Sequence, residues 1–256
     1  MDVFLNDLHA GSHHAPYPMD ALPKRDSAVS RYLTERLGHT LQSLPKKFDR
    51  LHLVGDLIDG CNRKSQCLGV WTADMGEQAE MAAELLKPFA DRARVVMRYR
   101  GTPYHEGNAK CLEGLTRELG IEEENNNLWV QDIKLRNGMI LNVAHHPMGG
   151  STLYSGTGLD REQVWSSVAA GAGHVEKPSI IVRGHRHHWG KLETELALSV
   201  ALPCWKLPSP HEIKANYWRY HSSIGLVTME YDDAELYSHR FKFLKVDIAK
   251  PKARSV

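Results

Sequence analysis

Five times along this chain a short apolar run ends abruptly in aspartate or histidine. Val3-Phe4-Leu5 runs into Asp7 and His9, and Leu51-His52-Leu53-Val54 runs into Gly55-Asp56, with Asp59 beyond. Val95-Val96-Met97 leads through Arg98-Tyr99-Arg100 to Gly101 and His105. Ile140-Leu141-Asn142-Val143-Ala144 runs into His145-His146, and Ile180-Ile181-Val182 into Gly184-His185 and His187. Short β-branched runs of this kind read as buried strands. Between them, 27–44 repeats Val29, Leu33, Leu37, Leu41 and Leu44 at helical spacing, and 75–90 repeats Met81, Leu85, Leu86 and Phe89. Leu112, Leu115 and Leu119 mark a third helix, and 164–172 a fourth. Alternating strand and helix predicts an α/β fold with mostly parallel strands. The carboxyl ends of such strands gather along one edge of the sheet, so the aspartates and histidines are expected to converge there.

After His188 the texture changes. Residues 192–202, 224–231 and 238–246 read as strands with few helical signals, and Asn137-Gly138 is a hairpin signal between two further runs. A second, largely antiparallel sheet is the expectation. One domain over 1–249 suits a chain of 256 residues, with 250–256 a loose tail.

Histidine is the compositional oddity: fifteen occur, grouped as His13-His14, His145-His146 and His185 with His187-His188. Metal binding and acid–base chemistry give reasons to cluster imidazoles. Lys+Arg of 32 against Asp+Glu of 31 gives no electrostatic push toward long nucleic acid. None of the four cysteines forms a C-x-x-C pair, so free thiols in a reducing, cytoplasmic setting are expected. No apolar run approaches the ~20 residues that cross a bilayer, and the acidic N-terminus does not read as a signal peptide.

Asp7, His9, Asp56, His145, His185 and His187 offer carboxylate oxygen and imidazole nitrogen, which suit Zn, Mn, Fe or Ni. One catalytic zinc takes about three protein ligands. Six donors fit a pair of metals bridged by a carboxylate, an arrangement that activates water against a phosphate ester. In Asp7-Leu8-His9 and His185-Arg186-His187 the i, i+2 spacing on extended chain would aim both side chains one way. Gly55 and Gly184 would allow a sharp turn where each strand ends.

These motifs resemble the calcineurin-like metallophosphoesterases. The family pattern runs D-x-H, G-D-x-x-D, G-N-H-E/D, a histidine after a fourth strand, then G-H-x-H. This chain has Asp7-Leu8-His9, Gly55-Asp56-Leu57-Ile58-Asp59, Gly101-Thr102-Pro103-Tyr104-His105-Glu106, His145-His146 and Gly184-His185-Arg186-His187, in that order from 7 to about 190. The resemblance implies a four-layer α-β-β-α sandwich of two mixed sheets flanked by helices. It implies a phosphomonoester or phosphodiester substrate, nucleotide or nucleic acid favoured, attacked by a metal-bridging hydroxide. Asp7, His9 and His187 would hold one metal, His145 and His185 the other, and Asp56 would bridge. Asp59 would support the site from behind, and His105 would be the catalytic histidine. Family habit puts manganese first, with zinc, iron and nickel behind it.

The third motif departs from the pattern. The asparagine that would bind the second metal is replaced by Thr102, and the G-T-P-x-H form is similar to that of phage and prophage members. Thr102, water or Asn108 could fill the place, and weak binding at the second site is the expectation. A metal-stabilised binding module without catalysis is the alternative function. Other readings stay open from the residues alone. Asp56 could cap a helix, His105 could be a plain loop residue, and His188 could be structural. Strand alternation lets only one of His145 and His146 face the metals, and the resemblance favours His145. His13 and His14 could line the substrate mouth or be solvated, and Arg186 could clamp phosphate or point away. Trp205, Tyr217, Trp218 and Tyr220 could stack a base or pack a core or a contact with a second copy.

Overall fold

The computed structural model describes residues 1–21, 28–61, 67–147, 156–209, 222–231 and 239–243. Strand β1 (Asp2–Leu5) alternates its side chains between two cores, because successive Cβ atoms of a strand point to opposite faces. Val3 and Leu5 face helices, while Phe4 faces a second sheet. The same division holds in β2 (Phe48–Val54) and β3 (Ala93–Tyr99), where Leu51, Leu53 and Val96 turn outward and Val54, Met97 and Tyr99 inward. β1, β2 and β3 are parallel neighbours.

Helices α1 (Ala28–Ser43) and α2 (Met75–Ala90) cover the outer face of this sheet with Leu33, Leu37, Ala79, Ala82, Leu86 and Phe89. Asp74 caps α2, its Oδ1 accepting the amides of Gly76 and Glu77. Two short helices follow β3, α3 (Pro103–Glu106) and α4 (Glu113–Glu118), and Leu112 and Leu115 join the same core.

The second sheet runs β4 (Val130–Lys134), β5 (Ile140–Ala144), β6 (Ile180–Arg183), β8 (Leu198–Ala201), β7 (Gly190–Glu193). β4 (Val130–Lys134) and β5 (Ile140–Ala144) form the hairpin expected around Asn137-Gly138, with Gly138 at a φ of 83°. β6 (Ile180–Arg183) lies parallel to β5 and to β8 (Leu198–Ala201). Leu141, Val143, Ile180, Val182, Leu198 and Val200 pack against Phe4, Val54, Met97 and Tyr99, so the two sheets bury one core between them. Helix α5 (Thr157–Gly171) covers the far face. Its Glu162 pairs with Arg183 at 2.8 Å, and its Gln163 Nε2 donates to the carbonyls of Leu192 and Ala197. Helix, sheet, sheet and helix make four layers, as the resemblance implied.

Three expectations are corrected. Residues 192–202 are not one strand, because β7 (Gly190–Glu193) turns back antiparallel onto β8. The segments after His188 do not build a sheet of their own: β9 (Val227–Tyr231) and β10 (His239–Phe243) extend the first sheet through antiparallel pairing with β1, while β7 and β8 extend the second. Both sheets are therefore mixed. Cys61 and Cys67 are bonded as a disulfide, their Cα atoms 4.8 Å apart across the loop after β2, whereas Cys111 and Cys204 are free. The 250–256 tail lies outside the described residues. Among the described residues no helix is long and apolar enough to cross a membrane.

Candidate metal centre

The loops leaving β1, β2, β3, β5 and β6 meet where the carboxyl ends of the parallel strands of both sheets come together. The donors thus come from two sheets, not from one sheet edge as expected. Backbone bonds join the loops: the amides of Asp7 and His9 donate to the carbonyls of Gly55 and Asp56, and Gly184 N–H donates to the carbonyl of His145. His185 N–H donates to Asp7 Oδ2 at 2.9 Å.

Asp7, His9, Asp56 and His145 are all buried. His9 Nε2 lies 3.2 Å from His187 Nε2 and 3.6 Å from Asp7 Oδ1, and His187 Nε2 lies 3.4 Å from Asp7 Oδ1. Ligands bonded to one tetrahedral ion at ~2.1 Å stand ~3.4 Å apart, so these three atoms have the spacing of a coordination shell. His145 Nε2 lies 3.3 Å from Asp56 Oδ2, with His185 Nδ1 at 3.9 Å from the same oxygen. Donor atoms within 4.8 Å of one another form the groups Asp7–His9–His187, Asp7–Asp56–His145, His9–Asp56–His105 and His145–His146–His185.

The donor atoms are aimed where a cation would need them. His145 Nδ1 donates to the Val54 carbonyl at 2.7 Å, which directs its Nε2 inward. His9 Nδ1 donates to Asp59 Oδ1 at 3.0 Å, with the same result for its Nε2. Asp7 Oδ1 and His145 Nε2 are buried with no hydrogen-bond partner. Such orphaned atoms are costly unless a ligand satisfies them. A divalent ion fits this oxygen and nitrogen set.

Electrostatics point the same way. Burial alone would raise the Asp7 and Asp56 carboxyls, but the adjoining His187 and His145 hold both well below the usual range. Asp59 is likewise held low against burial, by His9 and Lys206. Burial and Lys206 push the His9 imidazole down, yet Asp59 and Asp7 lift it to about 9, and Asp56 and Asp7 do the same for His145 against burial. The buried carboxylates Asp7, Asp56 and Asp59 thus favour positive charge beside them.

The backbone explains how the donors converge. Asp7, His9, Asp56, His185 and His187 all have φ between 48° and 70°. This left-handed region is uncommon for residues with a Cβ and concentrates at functional sites. The extended i, i+2 geometry expected of Asp7–His9 and His185–His187 is thus replaced by successive left-handed bends, because each strand has already ended. Gly55 turns with a φ of 72°, as expected. Gly184 has no positive φ; its hydrogen is needed because a Cβ there would run into the Asn6 amide.

The remaining predicted residues fall as follows. Asp59 backs His9. His105 Nδ1 donates to the Asp59 carbonyl at 2.6 Å and its ring stands edge-on to His9, 4.5 Å between centroids. Burial and the neighbouring His9 charge lower this imidazole to about 4. Thr102 donates from its amide (2.6 Å) and hydroxyl (3.0 Å) to Asp56 Oδ1. Asn108 is not brought to the centre: its Oδ1 accepts the Lys110 amide, and it lines a separate cleft with Arg98 and Asn126. His146 is exposed, its ring 5.0 Å from that of His145 and 5.4 Å from that of His185. The strand stops at Ala144, so alternation does not force His146 away from the centre. His13 lies against Trp71, and the Arg186 guanidinium packs on Gly158 of α5. Trp205 is fully buried and so closed to a base, while Tyr217, Trp218 and Tyr220 lie outside the described residues.

Sequence reasoning missed four supports. Glu106 accepts the amides of Leu57 and Gly101. Gln78, on α2, holds Gly60 through both its amide N–H and its carbonyl. The Asn6 amide donates to Asp7 Oδ2, and Lys206 Nζ lies 3.4 Å from Asp59 Oδ1. Glu106 stood within a motif and Asn6 beside one; the other two carry no local signal.

No protein-family model and no curated protein matches the chain. Solved structures do. Wild-type Vps29 complexed with zinc, from Entamoeba histolytica, is similar at 12% identity and a TM-score of 0.46, over 95% of this chain and 98% of that one. An archaeal phosphodiesterase is similar at 11% and 0.45, over 95% and 99%. YfcE, a phosphoesterase from E. coli, is similar at 16% and 0.42, over 82% of each chain. At such identities the chemistry has to be read from this chain's own side chains.

Proposed function

We propose that the protein is a metal-dependent phosphoesterase hydrolysing a phosphomonoester or phosphodiester, a nucleotide or nucleic-acid substrate favoured. The observation that carries this reading is the buried donor set with unpartnered Asp7 Oδ1 and His145 Nε2, extended on both sides of Asp56. Asp7, His9 and His187 would hold one ion, His145 and His185 a second, and Asp56 would be shared. Two divalent ions, when bound, supply Lewis acidity to phosphoryl oxygens and a nucleophile from water at neutral pH.

The chain's own residues do the rest. Asp59 fixes the His9 tautomer through Nδ1, and the Val54 carbonyl fixes that of His145. Thr102 orients the Asp56 carboxylate from behind. His105 is pinned through Nδ1, which leaves Nε2 for the ester. Neutral in the unliganded protein, that nitrogen accepts a hydrogen bond first. It becomes a proton donor to the leaving oxygen when an anionic substrate raises its affinity for a proton.

The deciding experiment measures hydrolysis of bis-p-nitrophenyl phosphate and p-nitrophenyl phosphate with added manganese or zinc, for wild type and Asp56→Asn. Metal-dependent turnover, lost by at least ~100-fold in the folded variant, is the expected result. No turnover of either ester with any divalent metal would leave a metal-stabilised binding module.

A further inference from the structure

Resting on the dinuclear reading above, we propose that His146 is a ligand of the second ion, which makes that site three imidazoles over one carboxylate.

The three rings His145, His146 and His185 stand in a near-equilateral triangle, with centroid separations of 5.0, 5.2 and 5.4 Å. Their donor nitrogens lie within 4.8 Å of one another. Two of the three already reach Asp56 Oδ2, at 3.3 and 3.9 Å. Without His146 the second ion has only Asp56, His145 and the half-exposed His185. The two other side chains considered for a fourth place are engaged elsewhere. Thr102 commits its hydroxyl to both oxygens of Asp56, at 3.0 and 3.2 Å, and Asn108 lines the cleft by Arg98. A lone surface histidine would have no reason to complete such a triangle. His146 does so because β5 ends at Ala144 and the chain bends through 145–146, which lets adjacent side chains face one space.

The consequence is selectivity. A site with three nitrogens and one oxygen favours zinc or nickel over manganese, which prefers oxygen. The first ion, with two imidazoles and two carboxylates, discriminates less.

The test is zinc binding to the metal-free full-length protein, by competition with a chromogenic chelator and elemental analysis, for wild type, His146→Ala, His146→Gln and the exposed control His174→Ala. Melting of the metal-free proteins checks the fold. Wild type should bind two zinc ions. Both His146 variants should weaken one of them by at least about tenfold, leave the other within about twofold, and alter the visible spectrum of the cobalt-loaded protein. His174→Ala should change neither. Two ions in wild type with unchanged affinities and spectrum in both His146 variants would overturn the inference while sparing the dinuclear reading. Fewer than two ions in wild type would overturn both.

Discussion

Glu106 has one buried carboxylate oxygen for the Leu57 amide and the other for the Gly101 amide, at 3.0 and 2.8 Å. It thereby fixes the loop carrying Asp56 against the loop carrying His105. Glu106→Ala would leave two buried amides without acceptors, a loss of about 2–4 kcal/mol. Urea denaturation of the metal-free variant should show that loss, and an unchanged midpoint would remove Glu106 from this role. The donors themselves were legible, because each follows an apolar run directly. Their conformation was not: nothing in Asp7-Leu8-His9 announces that two residues adopt a left-handed φ, since that geometry is imposed by bonds to Gly55, Asp56 and Asp7 from distant loops. Lys206 was invisible for the same reason. It belongs to a proline-rich stretch, and only the fold sets it beside Asp59.

At the scale of elements, β1 is locked to its neighbours by a polar cluster at the end away from the candidate metal centre. Arg50 on β2 grips Asp2 through two bonds of 2.8 Å, and the Tyr231 hydroxyl on β9 donates to it at 3.0 Å. Burial would raise Asp2, but His52 and Arg50 bring it from 3.8 down to about 2. A carboxyl depressed on folding stabilises above its unfolded pKa, and that contribution disappears as pH falls toward the folded value. About 2 kcal/mol should be lost between pH ~4 and ~2. Asp2→Asn should flatten that limb of the stability–pH curve; an unaltered limb would rule the cluster out as its source. The five strands that lead into the candidate donors and α1 and α2 were readable from periodicity, while α5 begins at Thr157, seven residues before the apolar signal at Val164. Which sheet β7 to β10 join was not readable, because pairing between β1 and β9 links residues more than 200 apart and leaves no local pattern.

For the whole molecule, the centre sits on the seam between two sheets, so an ion there ties one half of the sandwich to the other. Free zinc at 100 times its dissociation constant should add about 2.7 kcal/mol per site, a rise of several degrees in the melting temperature. Identical melting curves with zinc and with EDTA would show that nothing binds. The left-handed turns at Asp7, His9, Asp56, His185 and His187 each cost roughly 1 kcal/mol or more, out of a total stability on the order of 5–15 kcal/mol. Heat resistance and the convergence of the donors therefore pull these five positions in opposite directions. A library screened for thermal survival alone, without metal in the medium, would drift there toward glycine and asparagine, becoming hardier as its cluster of carboxylates and imidazoles dissolved.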